Sequence, residues 1–255
     1  MEKKRIKRVS KTAAVYIPIA ILLIAFVMIL GTSVFLSVIE ISVSGASIYD
    51  DDVIIEASGI APGNNILLLN KDGAKQNIFS AMPYVNEIVI ELSLPDKVQI
   101  KISETEAFAA IMHAEGFLIV DSKCKILERA ESIPEGMPEV RGFTPVDVRI
   151  GGPLRAAQGD DTRLRYIEEV LSAVEAAGIQ DGVSYLDVTN LGFVNLGYMD
   201  LYTLVLSGSS GAAARLGKLP EALEDVKKDA NFDETAKYRI DIPDSSGAWV
   251  WTPEW

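Results

Sequence analysis

From Thr12 to Ile39 the chain carries no charged side chain, and Lys3, Lys4, Arg5, Lys7, Arg8 and Lys11 crowd in just before that run. A stretch of about 20 apolar residues is long enough to cross the hydrocarbon core of a bilayer as a helix. Lipid offers backbone N–H and C=O groups no partner, so the helix must satisfy them itself. The basic cluster is expected to stay in the cytoplasm. The sequence therefore predicts a cytoplasmic tail over 1–11, a transmembrane helix over 12–37, and everything after it outside the membrane. A cleaved signal peptide is the rival reading. An h-region is usually shorter, however, and Val34-Phe35-Leu36-Ser37-Val38 makes a poor cleavage site. Pro18 lies in the first turn of the predicted helix, where N–H groups lack partners anyway.

Charge divides the chain in the same way. Of 24 basic and 36 acidic residues, the first eleven positions hold six bases and one acid, Glu2. The remainder has a net charge of −17, which disfavours nucleic acid and anionic lipid as bulk partners and favours solubility. Cys124 is the single cysteine, so no internal disulfide forms and the cores alone must hold the fold. Cys124 is expected to be a small buried apolar residue rather than a nucleophile.

The stretch from Val38 to Glu106 reads as β-α-α-β-β. Ile39, Ile41 and Val43 alternate with polar residues in a half-buried strand that Gly45 ends. Ser47 or Asp50 could cap a short helix over 51–57, with Val53, Ile54 and Ala57 on one face and Gly59 at its left-handed end. A second helix over 72–82 is expected to turn Ala74, Ile78, Phe79 and Met82 inward. Ile88, Ile90 and Leu92, then Val98, Ile100 and Ile102, mark two strands joined at Leu94-Pro95-Asp96. On the outer face of this hairpin Glu stands opposite Lys.

These residues resemble the POTRA domain of the FtsQ/DivIB bacterial cell-division proteins. The resemblance rests on Ser44-Gly45, Ser58-Gly59-Ile60, Pro62-Gly63-Asn64, Met82-Pro83-Tyr84-Val85, Leu94-Pro95-Asp96 and Glu104-x-Glu106 in that order. Leu94 stands where the family often has Trp, and Thr105-Glu106-Ala107-Phe108 replaces its Glu-Arg-x-Pro.

Further along, 108–113, 117–121 and 125–129 read as strands, and proline and glycine make 133–146 a structured loop. A helix over 162–177, capped by Asp160 or Asp161 and ended by Gly178, should bury Leu164, Ile167, Val170, Leu171 and Val174. Strands are expected at 184–188, 193–196, 201–206, 238–242 and 247–251, with Leu216, Leu219, Leu223 and Val226 on one further helical face. This region is similar to the β-rich second domain of FtsQ/DivIB. The resemblance is carried by Phe117-Leu118-Ile119-Val120-Asp121, Met137-Pro138-Glu139-Val140-Arg141-Gly142, Leu206-Ser207-Gly208, Leu216-Gly217-Lys218-Leu219 and Gly247-Ala248-Trp249-Val250-Trp251. The expected class is α+β: one membrane helix, a POTRA domain over 38–106 and a mixed β-rich domain over 107–255.

Catalytic signals are weak. His113 is the only histidine and reads as a structural or surface residue. One His with one Cys cannot build a usual zinc site. Asp50-Asp51-Asp52 lacks the spacing of a calcium loop and reads as a helix start. Gly208-Ser209-Ser210-Gly211 lacks the Gly-Lys-Ser/Thr of a phosphate loop. No catalytic, cofactor or metal residue is assigned, and no small-molecule substrate or nucleic acid is expected.

All three tryptophans, Trp249, Trp251 and Trp255, fall in the last seven residues. They fit either core packing of a terminal strand or a sheet edge that accepts a partner segment. The candidate contact set is Ser246, Gly247, Ala248, Trp249, Val250 and Trp251. The family resemblance implies the second use, with FtsB/DivIC-like and FtsL-like division proteins as partners at the septum. It implies a non-enzymatic scaffold linking early and late division proteins. The alternatives are a POTRA-bearing anchor of another envelope assembly, such as secretion, and a membrane-tethered envelope enzyme.

Overall fold

The computed structural model describes residues 16–24, 35–114, 116–207, 211–229, 232–233, 235–242 and 250–254. Residues 12–15 and 25–34 of the predicted membrane span lie outside them. Residues 16–24 are helical and exposed, and among the described residues no helix is long and apolar enough to cross a membrane. The chain divides into two compact units at Glu104/Thr105, with Met82–Asn86 grouped with the second.

The first unit holds a three-stranded sheet in the order β1-β3-β2. Its strands are β1 (Glu40–Ser44), β2 (Val85–Ser93) and β3 (Lys97–Glu104). β1 runs parallel to β3, with Glu40 beside Lys97 and Ser44 beside Lys101. Parallel neighbours need a crossover connection, and helices α1 (Asp51–Ser58) and α2 (Lys71–Ala81) supply it. The alternating residues behave as expected: Ile88, Ile90, Val98, Ile100 and Ile102 are buried, while Lys101 reaches Glu91 on the outer face at 2.8 Å.

Two helix faces differ from the expected ones. Val53 is exposed, and α1 instead buries Ile54 and Ser58, one turn apart and therefore on one line of the helix. Phe79 is exposed, while Ala74, Ile78 and Met82 are buried; three residues at four-residue spacing suffice for so short a helix. Gly59 ends α1 with φ +70°. Asp50 precedes α1 without a side-chain cap bond.

Ser47 is occupied elsewhere, because Glu104 binds the whole turn after β1. Its carboxylate accepts N–H bonds from Ser47 at 2.7 Å, Ile48 at 2.9 Å and Tyr49 at 3.4 Å, and the Ser47 hydroxyl at 2.6 Å. Partial burial pushes this carboxyl up, but the hydrogen bonds from Ser47, Ile48 and Tyr49 outweigh it and hold it below the ordinary glutamate range. A folded-state pKa below the unfolded one means stability that is present above about pH 4.3 and lost as pH falls through the folded value. Glu104→Gln is expected to cost about 1–2 kcal/mol at neutral pH. The difference from wild type should shrink on acidification below about pH 4. Urea unfolding of both proteins from neutral to acid pH checks this.

The second unit is built on a nine-stranded sheet, in the order β12-β11-β10-β9-β8-β7-β4-β5-β6. In chain order the strands are β4 (Ala109–His113), β5 (Gly116–Val120), β6 (Ile126–Ala130), β7 (Glu139–Arg141), β8 (Val183–Asp187), β9 (Phe193–Tyr198), β10 (Tyr202–Ser207), β11 (Lys237–Ile242) and β12 (Val250–Glu254). Helix α3 (Asp161–Ala177) buries Tyr166, Ile167, Val170, Leu171 and Val174, and Gly178 closes it with φ +65°. Asp160 stands before α3 as expected but makes no cap bond; its carboxylate takes Arg163 at 2.6 Å instead.

The loop expected over 133–146 contains β7, a correction that matters for the whole sheet. β7 lies parallel to β4 on one side and parallel to β8 on the other, so these three residues join the two halves of the sheet. Val140 fills the core there. The single helical face expected around Leu216–Val226 is two helices, α4 (Ala212–Leu216) and α5 (Leu219–Lys228). Arg215 on α4 is fully buried. It donates to the Tyr166 hydroxyl at 3.4 Å, while Glu169 accepts the Ala212 N–H at 2.8 Å. Burial pushes the Tyr166 phenol up, against the pull of Arg215.

Cys124 is buried, as expected, in a turn with φ +60°. Burial raises its thiol well above the usual range, with Glu168 and Asp121 adding to the effect. It is therefore a neutral packing group at physiological pH. The same turn is held by Asp121, whose Oδ1 accepts the N–H groups of Lys123 at 3.0 Å and Lys125 at 2.8 Å.

Candidate functional site: the outer edge of the terminal strand

The sheet of the second unit ends at β12. Val250 and Trp251 of the candidate set lie on it, whereas Ser246, Gly247, Ala248 and Trp249 fall outside the described residues. The strand expected over 247–251 continues to Glu254 in spite of Pro253. The ladder explains why. β12 pairs antiparallel with β11, with Ile240 opposite Trp251, Tyr238 opposite Pro253, and Asp241, Arg239 and Lys237 opposite Val250, Thr252 and Glu254. The Tyr238 N–H is donated to Leu201 O at 2.8 Å, toward β10. In a strand, successive residues point their N–H and C=O alternately to the two sides. Tyr238 and Ile240 therefore bond toward β10, and Lys237, Arg239 and Asp241 toward β12. On β12, Val250, Thr252 and Glu254 close the ladder, while Trp251 and Pro253 turn their backbone groups outward. Proline at 253 costs the sheet nothing, which is the position where an edge strand tolerates it.

The outer side of β12 pairs with no other strand among the described residues. It offers one donor and one acceptor at Trp251 and a lone acceptor at Pro253. A chain adding there finds a donor and an acceptor at Trp251 but only an acceptor at Pro253, so the pairing weakens toward Glu254.

Side chains sort by the same parity. Trp251 shares a face with Ile240 and Tyr238, both buried. Its ring meets Tyr238 edge-on at 5.8 Å. Tyr238 also stacks on Phe232 at 5.3 Å and approaches Tyr202 at 6.3 Å, and its hydroxyl accepts the Asp233 N–H at 2.7 Å. Edge-on contacts of this kind add to the area a ring buries. Val250, on the other face, is 59% exposed. Trp251 therefore packs its ring on the core, the first of the two expected uses, while its backbone groups face outward. Sequence reasoning missed Tyr238 and Phe232 as the support of Trp251, and Pro253 as the stop. The stop is legible only once the ladder parity is known.

Among the described residues no group of three or more His, Cys, Asp or Glu side chains is placed to hold a metal ion.

Residues 36–105 match the POTRA domain, FtsQ-type. Over these residues the first unit is similar to POTRA domains of the FtsQ type. The chain is 26% identical over 173 residues to the cell division protein FtsQ of Corynebacterium glutamicum, across 68% of this chain and 70% of that one. It is 30% identical over 155 residues to the cell division protein DivIB of Clostridium botulinum, across 60% of this chain and 59% of the relative. The chain thus spans less than two thirds of the clostridial DivIB. The extracytoplasmic domain of DivIB from Geobacillus stearothermophilus superposes over 51% of this chain and 99% of that domain, at 14% identity and a TM-score of 0.32, too loosely to bear on the argument. The resemblance to FtsQ/DivIB expected from the sequence is borne out by the domain match and by these relatives.

Proposed function

We propose that the chain is a bitopic, non-enzymatic scaffold of the bacterial division machinery. Residues 12–37 anchor it, residues 1–11 stay in the cytoplasm, and modules over 38–106 and 107–255 offer extracytoplasmic surfaces that link early and late division proteins at the septum. The outer edge of β12 takes an extended segment of an FtsB/DivIC-like protein, which arrives with an FtsL-like one. The observation that carries this reading is a strand edge, unpaired among the described residues, beside a supported tryptophan, in a chain similar to FtsQ and DivIB over more than half its length. Main-chain pairing supplies affinity in such complexes and neighbouring side chains supply specificity.

The membrane topology follows from the six basic residues ahead of the apolar run. Protease added to intact spheroplasts should remove nearly everything past Ile39 and leave the N-terminus protected. A mature protein beginning near Ser37 would show cleavage instead of anchoring. A fluorescent fusion should collect at the septum of dividing cells. A uniform envelope signal would favour the other POTRA-anchored assembly, such as secretion.

A further inference from the structure

The POTRA unit carries its most exposed apolar side chains at one end, and the backbone shows which end that is. Gly63 donates to Val38 O at 2.8 Å, Val38 to Asn64 O at 2.8 Å, and Ile66 to Leu36 O at 2.8 Å. These bonds tie the turn Ile66–Leu68 to the last residues of the apolar run. Ile66 is buried and anchors the turn, and the Asn65 side chain accepts the Leu67 N–H at 3.0 Å. The next two residues point away from the unit: Leu67 is 59% and Leu68 81% exposed. On the other side Ile39 donates to Asp96 O at 2.8 Å, which brings exposed Leu94 to the same end. Phe35, 78% exposed, and Ile39, also exposed, complete the group.

Exposed apolar side chains gathered in one place need a cover. Here the chain itself indicates which. The anchor over 12–37 ends just before Val38, and the uncharged run ends at Ile39, the last residue before Glu40. Leu67 and Leu68 are therefore held within a residue or two of the point where the anchor leaves the bilayer. Charge agrees: no acidic residue occurs from Ala57 to Lys71, in a chain whose portion after the basic tail is otherwise strongly acidic. Two acids do lie at this end, both beside Lys97: Glu40 is paired with it, and Asp96 precedes it in the chain.

We propose that Leu67 and Leu68, flanked by Phe35, Ile39 and Leu94, dip into the outer interface of the bilayer and seat the POTRA unit on the membrane. An apolar face lying at this depth enters roughly 5–10 Å into the headgroup boundary. The seat fixes the tilt of the unit and aims β1 away from the membrane. It rests on the anchor reading of 12–37.

The test uses the full chain in vesicles of phosphatidylethanolamine and phosphatidylglycerol. An environment-sensitive fluorophore is placed on single cysteines, Leu68→Cys, Ile48→Cys or Ile24→Cys, each in a Cys124→Ala background checked by melting. Ile48 is an exposed control at the far end of the sheet, beside Glu104, about 15 Å further along β1. Ile24 lies in the apolar run. Lipids with a nitroxide near the headgroup should quench the label at Leu68 severalfold more than the label at Ile48. Equal quenching at both, with Ile24 quenched by deep nitroxides, overturns the seat and leaves the anchor standing. Shielding at Leu68 without lipid quenching also overturns it, because a protein surface or a second copy then covers the leucines. Failure of deep quenching at Ile24 overturns the anchor reading itself and the seat with it.

Discussion

Gly142→Ala is expected to cost the β-rich unit about 3–5 kcal/mol. Gly142 follows β7 with φ +79°, and a Cβ there would stand 2.4 Å from the Thr189 nitrogen and 2.5 Å from its Cα. Backbone cannot swing aside as a side-chain tip can. Relieving the clash means parting β7 from the chain after β8, where Val188 donates to Arg141 O at 3.0 Å. β7 joins the two halves of the sheet, so the damage spreads beyond one loop. Gly136→Ala is the matched control: its φ is +77°, but nothing lies within 4 Å of the added Cβ. It should cost only the left-handed strain, about 1–2 kcal/mol. Denaturant melts of both variants separate close approach from strain. Equal losses would show that the contact with Thr189 does not matter.

Trp251→Pro is expected to lower affinity for the partner complex by at least about 30-fold, the equivalent of about 2 kcal/mol. The substitution removes the outward N–H and the ring together, yet leaves the ladder to β11 intact, because Val250 and Thr252 make those bonds. Trp251→Phe keeps the N–H and an aromatic ring over Tyr238, and should retain most of the binding. Losing the contact with Tyr238 also lowers stability, so every affinity is read beside a melting curve. If the proline variant stays folded and binds as tightly as wild type, the edge of β12 is not the site.

How far the sequence could be read depended on the length of each pattern. The hairpin of β2 and β3 has two full alternations, and α3 carries an apolar stripe along a helix of seventeen residues; both were legible to within a residue or two. Gly45, Gly59 and Gly178 take the left-handed conformation where strands or helices were expected to end. β7 was not legible. Three residues between prolines and glycines show no period, and the strand exists because β4 and β8 hold it on both sides. The role of Glu104 was hidden as well: it is the last residue of a strand, and its partners lie more than fifty positions earlier. For the candidate site, the tryptophan cluster pointed to the strand that ends the sheet. The direction of each backbone group came only from the bond between Tyr238 and Leu201.

The account turns on whether the backbone of β12 pairs with a partner, and residue-resolved amide exchange on the full chain in membranes reads this directly. Thr252 already bonds to β11, so its N–H should exchange slowly with or without the partner. The Trp251 N–H faces outward, and it should exchange freely alone and slow by at least about 10-fold when the FtsB/DivIC-like and FtsL-like proteins are added. Binding that leaves the Trp251 amide as exposed as before would contradict the account.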